Sequence, residues 1–567
     1  MSTARVWAPR PATVAVQIDG VRHPMTPGEG GWWEGPDLPP GARYGFLLDD
    51  DPTPRPDPRG RRLPDGVHGL SQAALPRLAP LDWPGRELRD GVIYELHVGT
   101  FTPEGTLDAA VARLGHLVDL GIDFVELLPV NAFNGTHNWG YDGVAWFAVH
   151  EAYGGPDAYA GFVAACHARG LGVIQDVVYN HLGPSGNYLP LYGPYLRDQA
   201  ANTWGQEVEL SHAEVRRYIL DNARMWFEEY GVDGLRLDAV HALRDTSDEH
   251  ILRTLSRETD DLSRRLERPL TLIAESDLND PVMFRPRHEG GHGLTAQWSD
   301  DYHHAAHVAL TGETAGYYAD FEPLTALGRV ATRGFFHAGT WSTFRERTHG
   351  VPLDDDVEAW RLVTCLQNHD QIGNRAAGDR LSASLSPRRQ AIGAVLAVLT
   401  PSTPMLFMGE EWGASTPWQF FTSHPEPDLG RATAEGRFAE FEKMGWNRDV
   451  VPDPQDPATF QRSKLAWDEL AHEPHRRLLA QYRDLIALRS REPDLRSPRL
   501  GDLSAEIDEH ERHVTFVRGR IRIRLNLGDA TWRPEGEEEA LFATSDDVSG
   551  NPLMLPPDSA LVSRTIE

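Results

Sequence analysis

Lysine is almost missing. The chain has 567 residues and a formal net charge of −29, and Lys443 and Lys464 are its only lysines; the other basic side chains are arginine and histidine. The acidic excess, 84 Asp and Glu against 55 Lys and Arg, disfavours nucleic acid as a partner, since phosphate recognition needs a concentrated basic surface. It disfavours an anionic membrane for the same reason. Cysteine is as rare. Cys166 and Cys365 are the only two, both among apolar residues; they read as buried, reduced thiols rather than a disulfide framework. Long apolar runs are also lacking. The most apolar segment, "AIGAVLAVLTPSTPMLFMG", is broken by Thr400, Pro401, Ser402, Thr403 and Pro404, so no run spans a bilayer. The start, "MSTARVWAPRPATVAV", has no basic segment followed by an apolar stretch, and no signal peptide is read. The expectation is a soluble, cytoplasmic protein of two to four domains.

Several chemical motifs are absent too. Neither lysine lies in a Gly-rich phosphate loop, and "GPSGN" does not complete GxSxG. HExxH is missing. "DDYHHAAHVAL" does place His303 and His307 four apart, a spacing compatible with a metal. Substrate contact or helix capping is the preferred reading, and neither a metal nor a cofactor is expected.

What is present has a clear order. Residues 1–88 alternate apolar and polar positions between Gly/Pro turns, as in "ARVWAPRPATVAVQIDG", and predict a small β-sandwich. From residue 89 short apolar runs alternate with helical patterns. Eight runs occur before residue 412: "VIYELHVG", "FVELLPV", "GVIQDVV", "GLRLDAV", "TLIAES", "TAQWS", "LVTCLQNHD" and "PMLFMGEE". Near-continuous apolar strands joined by helices imply a parallel sheet, and eight units imply an α/β fold, the (β/α)₈ TIM barrel, over residues 89–495. An excursion from the third unit is expected to begin near Val144–His150. Residues 496–567 carry short strands, such as "HVTFVRGRIRIRLNLG", and predict a C-terminal β domain.

The polar residues gather at the C-terminal ends of these strands, where barrel enzymes build their sites. The third strand ends in Asp176, Asn180 and His181, and the fourth in Arg236, Asp238 and His241. The fifth ends at Glu275, the sixth near Asp300 and Asp301, and the seventh at Asn368, His369 and Asp370. A single buried pair is explained by structure; carboxylates at one end of several strands are not. Arg236 and Asp238 are two apart and share a face. A guanidinium beside a carboxylate favours the ionised form, which suits a nucleophile. Glu275 follows "TLIA", and burial near other carboxylates favours its protonated form, which suits a general acid. Two carboxyls in opposed environments are what retaining glycoside hydrolysis requires, at a separation of about 5 Å. Asp370 is the third, placed to stabilise positive charge in the transition state. Sugars also need flat apolar platforms. Trp139 and Tyr141 in "NGTHNWGYDGVAWF" are candidates, with Trp204, Trp298, Trp341, Trp412 and Trp418; Tyr141 is the best placed, between glycines in a polar loop.

"DVVYNH", "GLRLDAVH", "AES" and "QNHD" resemble the four signature regions of the α-amylase superfamily, glycoside hydrolase family 13. The resemblance implies a nucleophile at Asp238, an acid/base at Glu275 and a transition-state stabiliser at Asp370. It implies sugar contact or carboxylate support from Arg236, His181 and His369, with Asp176 and His241 beside them, and stacking by Tyr141. "YELHVGTFTPEGT", "HNWGYDGVAWFAVHEAYGGP", "DDYHHAAH", "QNHDQIGNRAAGDRL" and "FMGEEWGASTPWQFFTSHPEPDL" are similar to one branch of that family, the trehalohydrolases. These cleave the α-1,4 bond next to the terminal trehalose of maltooligosyltrehalose and act after a separate synthase. Trehalose recognition is sought among Glu411, Trp412 and the histidines at 303–307. A glucan branching enzyme, which shares "YELHVG" and the domain plan, is the rival enzyme. A non-catalytic glucan-binding protein is the rival of another class, and the presence of all three carboxylates argues against it.

Overall fold

The computed structural model describes residues 2–73, 82–202, 205–443, 448–496, 498–536, 538–548 and 553–566. Its centre is a closed barrel of eight parallel strands: β1 (Ile93–Leu96), β2 (Phe124–Leu127), β3 (Gly172–Val177), β4 (Gly234–Leu237), β5 (Thr271–Ala274), β6 (Ala296–Trp298), β7 (Leu362–Thr364) and β8 (Thr403–Phe407). Each pairs in parallel with the next, and β8 closes onto β1. Every one of the eight apolar runs holds one barrel strand. Alternation along a strand sends every second side chain inward, so Ile93, Phe124, Ile174, Ile273, Trp298, Val363, Cys365 and Met405 form a packed plug. The same alternation carries Glu95, Glu126 and Asp176 inward, two residues beyond Ile93, Phe124 and Ile174, and Arg236 inward two residues beyond Gly234. The polar layer therefore sits directly on an apolar floor.

Four helices matter for the site and its support: α1 (Ile251–Leu266), α2 (Asp300–Thr311), α3 (Pro387–Val398) and α4 (His475–Arg491). α1 is amphipathic, and Ile251, Leu252, Leu255 and Leu262 are buried. α3 starts on Ser386, whose hydroxyl accepts from the Arg389 N–H at 3.2 Å, with Pro387 in its first turn. That is the combination expected where the first N–H groups lack helical partners. Among the described residues no helix is long and apolar enough to cross a membrane, and both cysteines are buried and free.

The N-terminal region forms a three-stranded and a four-stranded sheet. It docks on the barrel through Arg61, which makes a two-point ion pair with Glu229 at 2.6 and 2.8 Å, and through Phe46 against Tyr192. A five-stranded antiparallel sheet closes the C-terminal end. Buried Arg489 and Arg518 both donate to the carbonyls that end α3. The excursion expected from the third unit arises earlier: Ala145–Val149 pairs with Asn131–Ala132 between β2 and β3. The connection after β3 carries its own pair, Leu196–Asn202 with Gly205–Val208.

Candidate active site

Asp238 directly follows β4, and its N–H still bonds Val177 of β3 at 3.1 Å. The next residue, Ala239, takes a left-handed conformation (φ 41°, ψ 50°), uncommon and costly for a residue with a Cβ. This turn aims the Ala239 N–H at the carboxyl of Glu275. The Val240 N–H bonds the Glu275 carbonyl at 3.0 Å. The chain reversal after the nucleophile candidate thus holds the acid candidate.

Asp238 accepts two donors. Arg236 Nη1 reaches Oδ1 at 2.8 Å and Asn180 Nδ2 reaches Oδ2 at 2.7 Å. Arg236 Nη1 also donates to Asp176 Oδ2 at 2.8 Å, while Arg236 Nη2 lies 3.4 Å from Glu275 Oε2. The guanidinium is fully buried and lies over the Trp298 ring at 4.2 Å. Tyr141 donates its hydroxyl to Asp176 Oδ2 at 2.7 Å and meets His369 Nε2 at 2.7 Å. His369 Nε2 lies 3.5 Å from Asp370 Oδ2. His181 sits behind Tyr141, its ring nitrogens against the Tyr141 and Asn180 carbonyl oxygens.

Exposure grades the three carboxyls. Asp238 is 12%, Glu275 17% and Asp370 42% exposed in the side chain, so only Asp370 opens broadly to the cleft. Burial, together with the negative charges of Asp238 and Asp370, raises the Glu275 pKa above the usual carboxyl range, although Arg236 opposes the shift. Burial also pushes Asp176 up to about 7.

Tyr141, Asp176, His181, Arg236, Asp238, Glu275, His369 and Asp370 therefore come together. His241 stands at the exposed rim, its Nδ1 accepting from the Asp277 N–H at 3.4 Å. Three expected substrate contacts belong elsewhere. Trp139 is 5% exposed; it stacks on Trp418 and meets His369 edge-on, so it supports the site from behind. Glu411 and Trp412 are fully buried. Glu411 accepts from Tyr94, an outward-facing residue of β1, at 3.0 Å, and pairs with His116 at 2.7 Å. Trp412 donates to Glu469. Both lie outside the barrel wall, not in its mouth. His303 and His307 are buried within α2. His303 is engaged by Leu366 and Tyr318, and His307 by Glu313. Among the described residues no group of three or more His, Cys, Asp or Glu side chains is arranged to hold a metal ion.

Of the tryptophans considered as platforms, Trp298 and Trp418 are buried, and Trp204 lies outside the described residues. Trp341 is 62% exposed. It lies on a hairpin, Thr340–Ser342 with Arg347–His349, joined by an Arg345–Asp277 ion pair to the loop after Glu275. Three polar residues at the site carried no assignment from sequence: Asn180, Glu95 and Asp300. Asp300 opens α2 close enough to Glu275 and Asp370 that burial, reinforced by their charge, raises it to about 8. Glu95 was legible by the reasoning applied to Asp238, being a charged residue at an inward position of an apolar strand.

A parallel eight-stranded barrel with this carboxylate set at its C-terminal mouth defines a glycoside hydrolase of the α-amylase class. The family model described as the alpha amylase catalytic domain matches residues 72–190 and 195–497. A second model, described only as a domain of unknown function, matches residues 498–562. The chain is 57% identical to a malto-oligosyltrehalose trehalohydrolase from Rhizobium sp. (strain M-11), over 99% of this chain and 97% of that protein. It is 53% identical to one from Mycobacterium tuberculosis (strain ATCC 25618 / H37Rv), over the whole of both. A solved structure from Salmonella typhimurium, named for an alpha amylase, superposes with a TM-score of 0.91 at 36% identity, covering 100% of this chain and 97% of that one. The chain belongs to the malto-oligosyltrehalose trehalohydrolases within the α-amylase family.

Proposed function

We propose that the protein cleaves the α-1,4 bond adjacent to the terminal trehalose of maltooligosyltrehalose, releasing trehalose and a maltooligosaccharide with retention at the anomeric carbon. Asp238 attacks that carbon as the C–O bond to trehalose breaks, and Glu275 gives its proton to the departing oxygen. Water then attacks the glycosyl–Asp238 ester, its proton returning to Glu275, and Asp238 is released as carboxylate. Asp370 balances the positive charge of the oxocarbenium-like transition state, while the buried Arg236 orients Asp238 and favours its ionised form. Tyr141 forms the floor on which the cleaved glucose rests, backed by His181 and His369, with His241 at its edge.

The observation that carries this reading is the opposed environment of two neighbouring carboxyls. Asp238 receives two side-chain donors, while burial and the neighbouring negative charges of Asp238 and Asp370 raise the pKa of Glu275. The substrate assignment rests on the near full-length similarity to the trehalohydrolases. It implies a preceding synthase that makes the terminal trehalose unit. The acidic composition and two buried thiols support a cytoplasmic protein as our reading, with residues 1–88, 89–495 and 496–567 taken as its domains.

The test is a product assay with maltotriosyltrehalose and, separately, a maltooligosaccharide of equal length. Fast trehalose release from the first and slow cleavage of the second is the expected result. Comparable cleavage of both, or new α-1,6 branches, would return the substrate to an amylase or branching-type glucan.

A further inference from the structure

The hydrogen bonds around His369 have a direction. Tyr141 has one hydroxyl proton, and Asp176 Oδ2 accepts it at 2.7 Å while accepting Arg236 Nη1 at 2.8 Å. With that proton committed, His369 Nε2, 2.7 Å from the Tyr141 oxygen, is the donor in their contact. On the far side of the ring, Nδ1 lies 2.7 Å from Glu95 Oε1, and Glu95 Oε2 accepts the His369 backbone N–H at 3.0 Å. Glu95 is 1% exposed; its Oε2 accepts a backbone N–H, which leaves Oε1 facing Nδ1, and the negative charges of Asp370 and Glu95 favour the protonated ring. Nδ1 therefore donates as well. Two donating ring nitrogens define an imidazolium.

A continuous path results. It runs from Glu95 on β1 through His369, Tyr141 and Asp176 to Arg236, and from Arg236 to Asp238 on the opposite side of the barrel. We propose that Glu95 is a positioning residue of this site: by holding His369 as an imidazolium, it keeps the Tyr141 proton on Asp176 and keeps Arg236 divided between Asp176 and Asp238. The proposal rests on the assignment of Asp238 as nucleophile. With His369 neutral, Nε2 becomes free to accept the Tyr141 proton. Asp176 then loses a donor, and Arg236 is drawn from Asp238 toward it.

The groups facing His369 are consistent with this. Glu95 and His97 come from β1, Glu126 from β2, Tyr141 from the loop after it, Asp176 from β3, Arg236 from β4, and Asp370 adjoins it. Burial holds His97 near 3 and so neutral, and burial beside Glu95 raises the Glu126 carboxyl well above its ordinary value. Burial and Arg236 work against the imidazolium, but Asp370 and Glu95 outweigh them and raise it to about 9.

The test is Glu95→Gln, which preserves shape and removes the charge. Ring-nitrogen ¹⁵N NMR of the full protein follows His369, its signal assigned by comparison with His369→Asn. The parent is expected to keep His369 cationic through about pH 8, and the variant to titrate lower by about two pH units or more. At pH 8 the variant's kcat should fall by about tenfold or more while KM changes little, with recovery toward the parent at about pH 5.5. An unmoved titration, or a loss of kcat equal at every pH, would overturn the proposal. If Glu95→Gln does not fold, a neutral His369 in the parent at pH 7 overturns it equally. Asp238→Ala separates the two readings: if it stays active, the nucleophile assignment fails; if it is inactive and His369 titrates alike with and without Glu95, only the role of Glu95 fails.

Discussion

Arg236 Nη1 stands 2.8 Å from Asp238 Oδ1, and the same nitrogen stands 2.8 Å from Asp176 Oδ2. The guanidinium is fully buried and Asp176 nearly so, so water does not readily replace it. Removing one partner of a buried pair leaves an uncompensated charge and costs about 3–5 kcal/mol. Arg236→Ala should lose about that much in denaturant unfolding and should lower kcat/KM by about a hundredfold or more. Arg236→Lys keeps the charge without the fork and should recover stability better than rate.

Glu275 is a proton donor only while it carries its proton. Burial and the charges of Asp238 and Asp370 raise its pKa, and activity should decline as pH rises through its titration. Glu275→Gln should slow cleavage of oligosaccharides by about 10²–10⁴. An α-glycosyl fluoride, whose leaving group needs no proton, should lose far less in its first step. Equal losses on both substrates would remove Glu275 from the acid role.

The "GEEW" stretch supports the fold rather than the sugar site. Glu411 is buried against Tyr94 and His116, and Glu411→Ala should cost about 3 kcal/mol of stability with KM unchanged. Its neighbour Glu410 is buried and raised to about 8. A carboxyl raised on folding gives stability that is present below its unfolded pKa and lost as pH rises through about 8. Melting curves should therefore show the parent losing stability between about pH 5 and 8, and Glu410→Gln losing less.

Trp341 is a large aromatic left in solvent on the hairpin that Arg345 ties to the loop after Glu275. Trp341→Ala should leave the melting temperature nearly unchanged, since an exposed side chain contributes about 0.5 kcal/mol or less. KM for the oligosaccharide should rise, with kcat affected less. A stability loss without a KM effect would mark the ring as structural.

The barrel was legible because its strands are apolar runs with charge only at their C-terminal ends, and all eight runs were found. Arg236 and Asp238 were legible for the same reason, since a period of two puts both on one face. Glu411 and Trp412 misled, because a motif near a strand end does not reveal which side of the barrel wall its side chains take. Tyr94, one residue from inward-facing Glu95, points outward and draws Glu411 with it. Asn180 was placed at the end of the third strand, but its role, holding Asp238, shows only in their bond. The excursion lies earlier than expected: Ala145–Val149 pairs antiparallel with Asn131–Ala132, before β3, a pairing that no local pattern reveals.

The central claim is that Asp238 forms a covalent bond to the sugar. Treating the enzyme with a fluorinated α-glucosyl fluoride that slows the second step, then mapping peptides by mass spectrometry, tests it directly. One added sugar on the peptide containing Asp238, together with first product of unchanged anomeric configuration, is the predicted result. A label on Glu275 or Asp370 instead, or an inverted first product, would contradict it.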